Sequence, residues 1–146
     1  MRLPRILALL LLASAATLYA ASPGLTGDWR EPGGSVIRIA PCGNDLCATL
    51  VFVRPDAPSN FDTHNPDASL HKRSLCGLQI GTGFHRDSDT QATGGSLYDP
   101  KTGKTYHGEM NADGDKLALR GYVGIRLFGR TETWTRTHLA APCHAN

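Results

Sequence analysis

The chain predicts an all-β fold with one short helix: an antiparallel up-and-down β-barrel or a strongly bent sheet, with a sandwich as the alternative. Three observations carry this. Gly and Pro are dense, 16 and 9 residues, so turn signals recur at short intervals. No stretch keeps a helical period for long. The segments between turns alternate with a period of two. The clearest is Gly129 to Arg136, where Thr131, Thr133 and Thr135 share one face and Arg130, Glu132, Trp134 and Arg136 the other. Several short strands joined by tight turns make a barrel or bent sheet.

The first element is not part of that fold. Arg2 and Arg5 precede an apolar run, Ile6 to Ala13, and small residues follow to Ser22. This is the pattern of a secretory signal over residues 1–21, too short to span a bilayer as a stop-transfer helix. No cysteine follows the run until Cys42, which argues against a lipoprotein anchor. The remainder, residues 22–146, is long enough for one domain with one core. Its strands are predicted at Thr26–Glu31, Ser35–Ala40, Cys47–Arg54, Leu78–Arg86, Gly95–Tyr98, Lys104–Met110, Lys116–Val123 and Arg130–Thr137.

Connections have their own chemistry. Asp99-Pro100-Lys101-Thr102-Gly103 is a hairpin turn, with Pro pre-setting φ and Gly free to take positive φ. Asn111-Ala112-Asp113-Gly114-Asp115 is read as another. It is not a calcium loop, because the twelfth position is Tyr122 rather than Glu. Pro55 to Leu75 is long, polar and punctuated by Pro. Within it, Asn65-Pro66-Asp67 has the chemistry of a helix start, which predicts a short helix from Asn65 to Leu70. Such a segment serves either as a lid over a binding site or as a crossover that plugs one barrel end.

Charge excludes one class of partner. The chain carries 15 Lys+Arg and 13 Asp+Glu. Arg2 and Arg5 leave with the signal, so the mature protein is balanced and its sequence pI of 8.4 overstates its basicity. No basic run or tail is present, so no nucleic acid is expected as partner. Cys42, Cys47, Cys76 and Cys143 all lie in the exported part, where an even count implies two disulfides. The short loop between Cys42 and Cys47 favours that pair, leaving Cys76 for Cys143. The cysteines have no Cys-x-x-Cys spacing and the histidines are scattered, so no metal or cofactor is expected.

Two ends of the chain share a further pattern. Gly27-Asp28-Trp29 opens the first strand, and Arg130 and Arg136 flank Trp134 on the last. This resembles lipocalin-like barrels, where a Gly-x-Trp on the first strand packs against a basic residue of the last and closes one end. A wider resemblance follows the chain in order. It runs through Gly27-x-Trp29, Cys42-Gly43 with Leu46-Cys47, and Asn65-Pro66-Asp67 with Leu70, Arg73 and Leu75 to Gly77. It continues through Gly95, Tyr98-Asp99-Pro100, Gly103-Lys104, Tyr106, Leu117, Leu119 to Gly124, and Gly129-Arg130-Thr131 to Arg136. Together these are similar to the bacterial family of exported proteins filed as domain of unknown function 2147. One departure is Gln91-Ala92-Thr93, where that family tends to carry a Trp. The resemblance implies export and a compact β-fold and brings no established activity.

Catalytic motifs are sparse. Gly33-Gly34-Ser35-Val36 lacks the frame of a nucleophile elbow, and disulfide-bonded cysteines are not nucleophiles. His85, or His107 with Glu109, is the one acid–base option, so no catalytic residue is assigned. Barrel parity turns Trp29, Ile37, Ile39, Leu78, Ile80, Phe84, Leu97, Tyr106, Met110, Leu117, Leu119 and Trp134 inward. Aromatic and Arg groups at the rim of such an interior suit a small apolar or amphipathic ligand. The candidate ligand residues are Trp29, Tyr98, Tyr106, Arg120, Tyr122, Arg130, Trp134 and Arg136. The expected protein is periplasmic or secreted and non-enzymatic, with no stable membrane insertion after signal cleavage. A cell-envelope module without a cavity is the alternative, and an enzyme, a hydrolase or isomerase using His107 or His85 with Glu109, is the third reading.

Overall fold

The computed structural model describes residues 24–143, so the signal segment and its cleavage point lie outside the described residues. Eight antiparallel strands close into a barrel in simple sequence order, and the last pairs back onto the first. They are β1 (Gly27–Arg30), β2 (Val36–Cys42), β3 (Asp45–Phe52), β4 (Gln79–Arg86), β5 (Gln91–Asp99), β6 (Lys104–Asp113), β7 (Lys116–Tyr122) and β8 (Arg130–Thr137). Of the architectures the sequence allows, the barrel is the one formed. Closure leaves no strand edge unpaired.

Two strands run longer than their sequence pattern. A bulge at Gly94, with φ of 72°, lets β5 begin at Gln91 rather than Gly95. β6 continues through Asn111 and Ala112 to Asp113, so the turn shrinks to Gly114 and Asp115, with Gly114 at φ 55°. The turn expected over all of Asn111–Asp115 is therefore corrected to its last two residues. The helix expected over Asn65–Leu70 is also corrected, to a three-residue 3-10 turn, Ala68–Leu70. Its cap is Asp67, whose carboxylate accepts from the Ser69 N–H. Asn65 instead accepts from the Asp67 N–H at 2.9 Å. Successive side-chain turns occupy the donors a helix would need, and the chain kinks rather than coils.

The meander puts the connections at two ends. One end, called here the closed end, gathers the β2–β3, β4–β5 and β6–β7 hairpins with the start of β1 and the finish of β8. The opposite loop end gathers residues 31–35, 53–78, 100–103 and 123–129. The expected inward set is buried, save Leu97 and Tyr106, which are half-buried near the loop end. Burial of each large apolar side chain contributes about 1.5–3 kcal/mol.

Phe84 organises this core. It is 0% exposed, and its ring lies on the inner wall of β4, β5 and β6, where Gly81, Gly95 and Gly108 leave room for it. A Cβ at Gly108 would stand 2.7 Å from the ring, one at Gly81 3.0 Å, and one at Gly95 would overlap it outright. Gly95 pairs with Gly108, and Gly108 pairs with Gly121. A side-chain-free row thus crosses three strands, and Phe84 covers its first two members.

Both disulfides form as the spacing implies, Cys42–Cys47 and Cys76–Cys143, with sequence separations of 5 and 67. The first staples the β2–β3 hairpin. The second holds the C-terminal tail, which crosses the outer wall with Leu139 N–H donating to Asp28 and Cys143 N–H to the Val51 carbonyl. Chain entropy assigns about 2 kcal/mol to the short closure and about 4 kcal/mol to the long one.

The fit of Phe84 to glycine predicts a specific coupling. Gly95→Ala is expected to cost about 1–3 kcal/mol in urea denaturation through overpacking. Combining it with Phe84→Leu is expected to cost less than the sum of the single changes by about 1 kcal/mol or more. Gly121→Ala, whose Cβ meets nothing closer than 3.6 Å, is expected to stay within about 0.5 kcal/mol of the parent. Additive costs at positions 84 and 95 would show that the ring is not seated on the glycines.

Candidate functional site

The closed end is sealed by the first and last strands. Trp29 on β1 is 0% exposed and donates its indole N–H to the Leu25 carbonyl at 2.8 Å. Arg136 on β8 is its register partner and lays its guanidinium 4.0 Å from the Trp29 ring centre. The same guanidinium donates to the carbonyls of Gly24 and Thr26. A cation on an indole face contributes about 0.5–2 kcal/mol, and here it also collects the start of the chain. Arg136, not Arg130, makes the Trp–Arg closure the sequence pattern implies.

The loop end is built differently on its two sides. Glu31, at the end of β1, is buried and accepts from the N–H groups of Gly33 and Ser35 and from Lys101 in the β5–β6 turn. Burial pushes its carboxyl pKa up, but these donors and the Lys101 charge outweigh it and hold it below its usual value. Because β1 and β5 stand opposite in an eight-stranded barrel, this 3.1 Å ion pair spans the end. On the β2–β4 side, Val53 and Leu75 pack against the core.

The β6–β8 side stays open. Met110, Leu119 and Trp134 are buried, yet the inward positions nearer the loops are not. Tyr106 and Gly121 are half-buried, and Arg130 and Glu132 are exposed. Gly121 pairs with Arg130 and Leu119 with Glu132, so these positions form one contiguous inner surface. Leu97, paired with Tyr106, completes it. The floor at Gly121 has Tyr106 and Leu97 atoms at 3.6–4.0 Å from where a Cβ would stand. At its edge Glu132 accepts from the Trp134 indole N–H at 3.1 Å.

The eight candidate ligand residues are thus divided. Tyr106 and Arg130 come together at this open surface. Trp29 and Trp134 are sealed into the core, and Arg136 belongs to the closed end. Tyr98 is half-buried against the core beside the Pro55–Leu75 segment and donates to Asp62 at 2.5 Å. Arg120 and Tyr122 lie on the outer wall: Arg120 donates to Thr131 and to the Arg126 carbonyl, and Tyr122 packs on His107 with ring centres 5.5 Å apart. Gly121 and Glu132 join the site although neither was among the ligand candidates. The alternation of β8 placed Glu132 beside Trp134 and Arg130, and that was its signal. Gly121 gave none until its register with Gly108 was known.

The acid–base candidates are on the outer wall. His85 is exposed on β4, 3.7 Å from Asp45. His107 lies against Tyr122, and Glu109 is taken by Arg126 at 2.5 Å. Two shallow depressions mark the outside, one between Glu109, Asn111 and Arg126 and one along Lys72 to Gln79.

The long Pro55–Leu75 segment is anchored through a buried carboxylate. Asp62 is 0% exposed and accepts from Tyr98, from Asn65 at 2.9 Å and from Arg73 at 2.6 Å. Burial pushes its pKa up, but the three donors and the Arg73 charge outweigh this and leave it lowered. Burial and the bond to Asp62 push the Tyr98 phenol up to about 12. His64 packs over Gly103, where a Cβ would collide with the His64 carbonyl. Segment and hairpin are locked together, which is the arrangement of a fixed strap rather than a hinged lid.

A closed eight-stranded antiparallel barrel with its first and last strands joined by a Trp–Arg stack is a lipocalin-like architecture. A solved structure of a Helicobacter pylori protein that belongs to the lipocalin family is similar, with a TM-score of 0.70 and 21% sequence identity over 77% of this chain and 82% of that one. At that identity the likeness is one of fold. The chain belongs to the family described as uncharacterized protein conserved in bacteria (DUF2147), whose model matches residues 27–136. No curated protein sequence matches it.

The lowered carboxylates set a pH dependence. Hydrogen bonds from Arg38 lower Asp28, and Glu31 and Asp62 are lowered as described. In the unfolded chain they titrate at ordinary values near 3.8 and 4.5. Their stabilisation is therefore present above those values and is lost as pH falls through the lower folded ones. The raised Tyr98 acts oppositely: its contribution holds below about pH 10 and is lost as pH rises towards about 12. Urea midpoints are expected to be flat from about pH 5 to 8 and to fall below about pH 4. Asp62→Asn is expected to cost about 2–3 kcal/mol at neutral pH and to reduce the acid-side slope. An unchanged slope would show that Asp62 is not held ionised.

Proposed function

We propose that this chain is an exported, non-enzymatic barrel of the bacterial periplasm or exterior that binds a small amphipathic molecule at its open loop end. The observation that carries this is the uncovered part of the glycine row. Gly95 and Gly108 are filled by Phe84, whereas Gly121 is left as bare floor between Tyr106, Leu97, Arg130 and Glu132. Glycine inside a strand marks a place where another group comes close to the backbone. An apolar group laid on Gly121 would meet Tyr106 and Leu97, and a polar or acidic head would meet Arg130. The sealed core beneath limits the seat to a short or flat apolar group. A chain threaded down the lumen would have to displace Met110 and Trp134.

Export is supported by the signal-like N-terminus and by two disulfides, since such bonds persist in oxidising compartments. The filled lower core favours the second reading, an envelope module that binds no small molecule.

Gly121→Leu tests the seat. The φ at Gly121 is not positive, so Leu fills the floor without backbone strain. Calorimetric titration with short-chain fatty acids and flat sterol-like acids is expected to show binding to the parent. In Gly121→Leu it is expected to weaken by about tenfold or more, which is about 1.4 kcal/mol. Arg130→Gln is expected to weaken acidic ligands but not the matching alcohols. Equal binding by parent and Gly121→Leu would overturn the site, and no binding by the parent would favour the envelope module.

A further inference from the structure

The β7–β8 connection, residues 123–129, stands out among the described residues. Five large apolar side chains are exposed, and four are here: Val123 at 70%, Ile125 at 58%, Leu127 at 78% and Phe128 at 77%. Single exposed apolar residues are ordinary, but four in one short loop mark a contact surface. The exposure does not come from a loose chain. Arg126–Phe128 is a 3-10 turn closed by Gly129 N–H donating to the Arg126 carbonyl at 3.1 Å. The Arg120 guanidinium reaches up from β7 and donates to the carbonyls of Arg126 and Leu127. Gly129 is required beneath, because a Cβ there would stand 2.8 Å from the Gly121 carbonyl and 2.9 Å from Tyr122. The backbone is pinned while its apolar side chains point away from the barrel.

The charges around this tip identify what covers it. From Arg120 to Arg130 the chain carries three Arg and no Asp or Glu. Arg126 pairs with Glu109. Arg120 lies directly under the tip and holds carbonyls, and Arg130 is exposed at its base. Apolar side chains projecting beyond the two guanidinium groups of Arg120 and Arg130 match the boundary of a lipid bilayer, with acyl chains inside and phosphates outside. A stable protein partner fits less well. Specific protein interfaces use about 20–30 residues a side, and this is a narrow protruding loop.

We propose that the β7–β8 loop is a peripheral membrane-docking tip, which places Leu127 and Phe128 among the acyl chains of an anionic lipid surface. The contact is reversible and spans nothing; no helix among the described residues is long and apolar enough to cross a membrane. The inference stands apart from the ligand seat, although both lie at the same end of the barrel.

The test uses the mature chain and two vesicle preparations, phosphatidylcholine alone and phosphatidylcholine with phosphatidylglycerol. Sedimentation is expected to show at least tenfold stronger binding to the anionic vesicles, weakened by raised salt. The double variant L127S/F128S is expected to melt like the parent and to lose that binding. Leu127→Trp is expected to blue-shift its added fluorescence on anionic vesicles. Gly121→Leu, which fills the ligand seat, is expected to keep vesicle binding, so the two readings fail separately. Absence of vesicle binding by the parent, or equal binding by L127S/F128S, would overturn the proposal. A concentration-dependent dimer that L127S/F128S abolishes, without vesicle binding, would assign the tip to a second copy of the chain and would also overturn it.

Discussion

The seat of Phe84 on glycine is the contact on which the barrel depends. A small closed barrel has little interior volume, and its strands must coil strongly to meet. Gly81, Gly95 and Gly108 withdraw side chains from three neighbouring strands at the place where one ring is inserted. Gly83 and Gly94, at φ of 65° and 72°, bulge β4 and β5 on either side of that place. Bulges increase local twist and bend the bulged strand. Curvature and core filling are thus solved by the same few residues.

The two barrel ends follow from this filling. Below Phe84 the core is packed to Trp29, and Arg136 closes it against solvent. Above it, the Glu31–Lys101 pair and the anchored Pro55–Leu75 segment occupy one side. Among the described residues, the inner surface of β6 to β8 near the loop end is left uncovered, and the apolar tip at residues 123–129 stands at its rim. A packed lower barrel gives rigidity, and an uncovered upper wall gives a surface on which small molecules or lipids can be recognised. Both proposals use the same asymmetry, one on its inner face and one at its rim.

Much of this was legible in the chain because it is local. Pro100 and Gly103 specify their turn wherever the turn sits, and the short spacing of Cys42 and Cys47 favours a hairpin staple. Alternation along β8 placed Trp134 on the inward face, but the pattern left Arg130 and Arg136 both open as the neighbour of Trp29, and only the β1–β8 register selects Arg136. What was not legible depends on register. Tyr98 reads as a rim aromatic, but its partner is Asp62, 36 residues away in a segment without regular structure. Tyr106 and Met110 share a face of β6, and alternation cannot tell that one is open and the other sealed. The bulges shift the pairing of β3 with β4 and of β5 with β6, so the fit of Phe84 to three glycines exists only once the strands are aligned. The helix expected at Asn65 failed for a local reason of another kind: Asn65 and Asp67 each bond a backbone N–H two residues on, and capping chemistry was spent on turns.

One barrel end is sealed by the Trp29–Arg136 stack, and the inner wall at the other is exposed. Amide chemical-shift mapping by NMR, during titration with a short-chain amphiphile below its micelle concentration, tests this arrangement most directly. Shifts are expected to be confined to Leu97, Tyr106, Gly121 and the Arg130–Glu132 stretch, with Gly27, Trp29, Ile39 and Phe84 unmoved. Shifts that run through Phe84 to the Trp29 end would contradict that arrangement, because they would mean that the ligand enters a lumen that the packed core is said to fill.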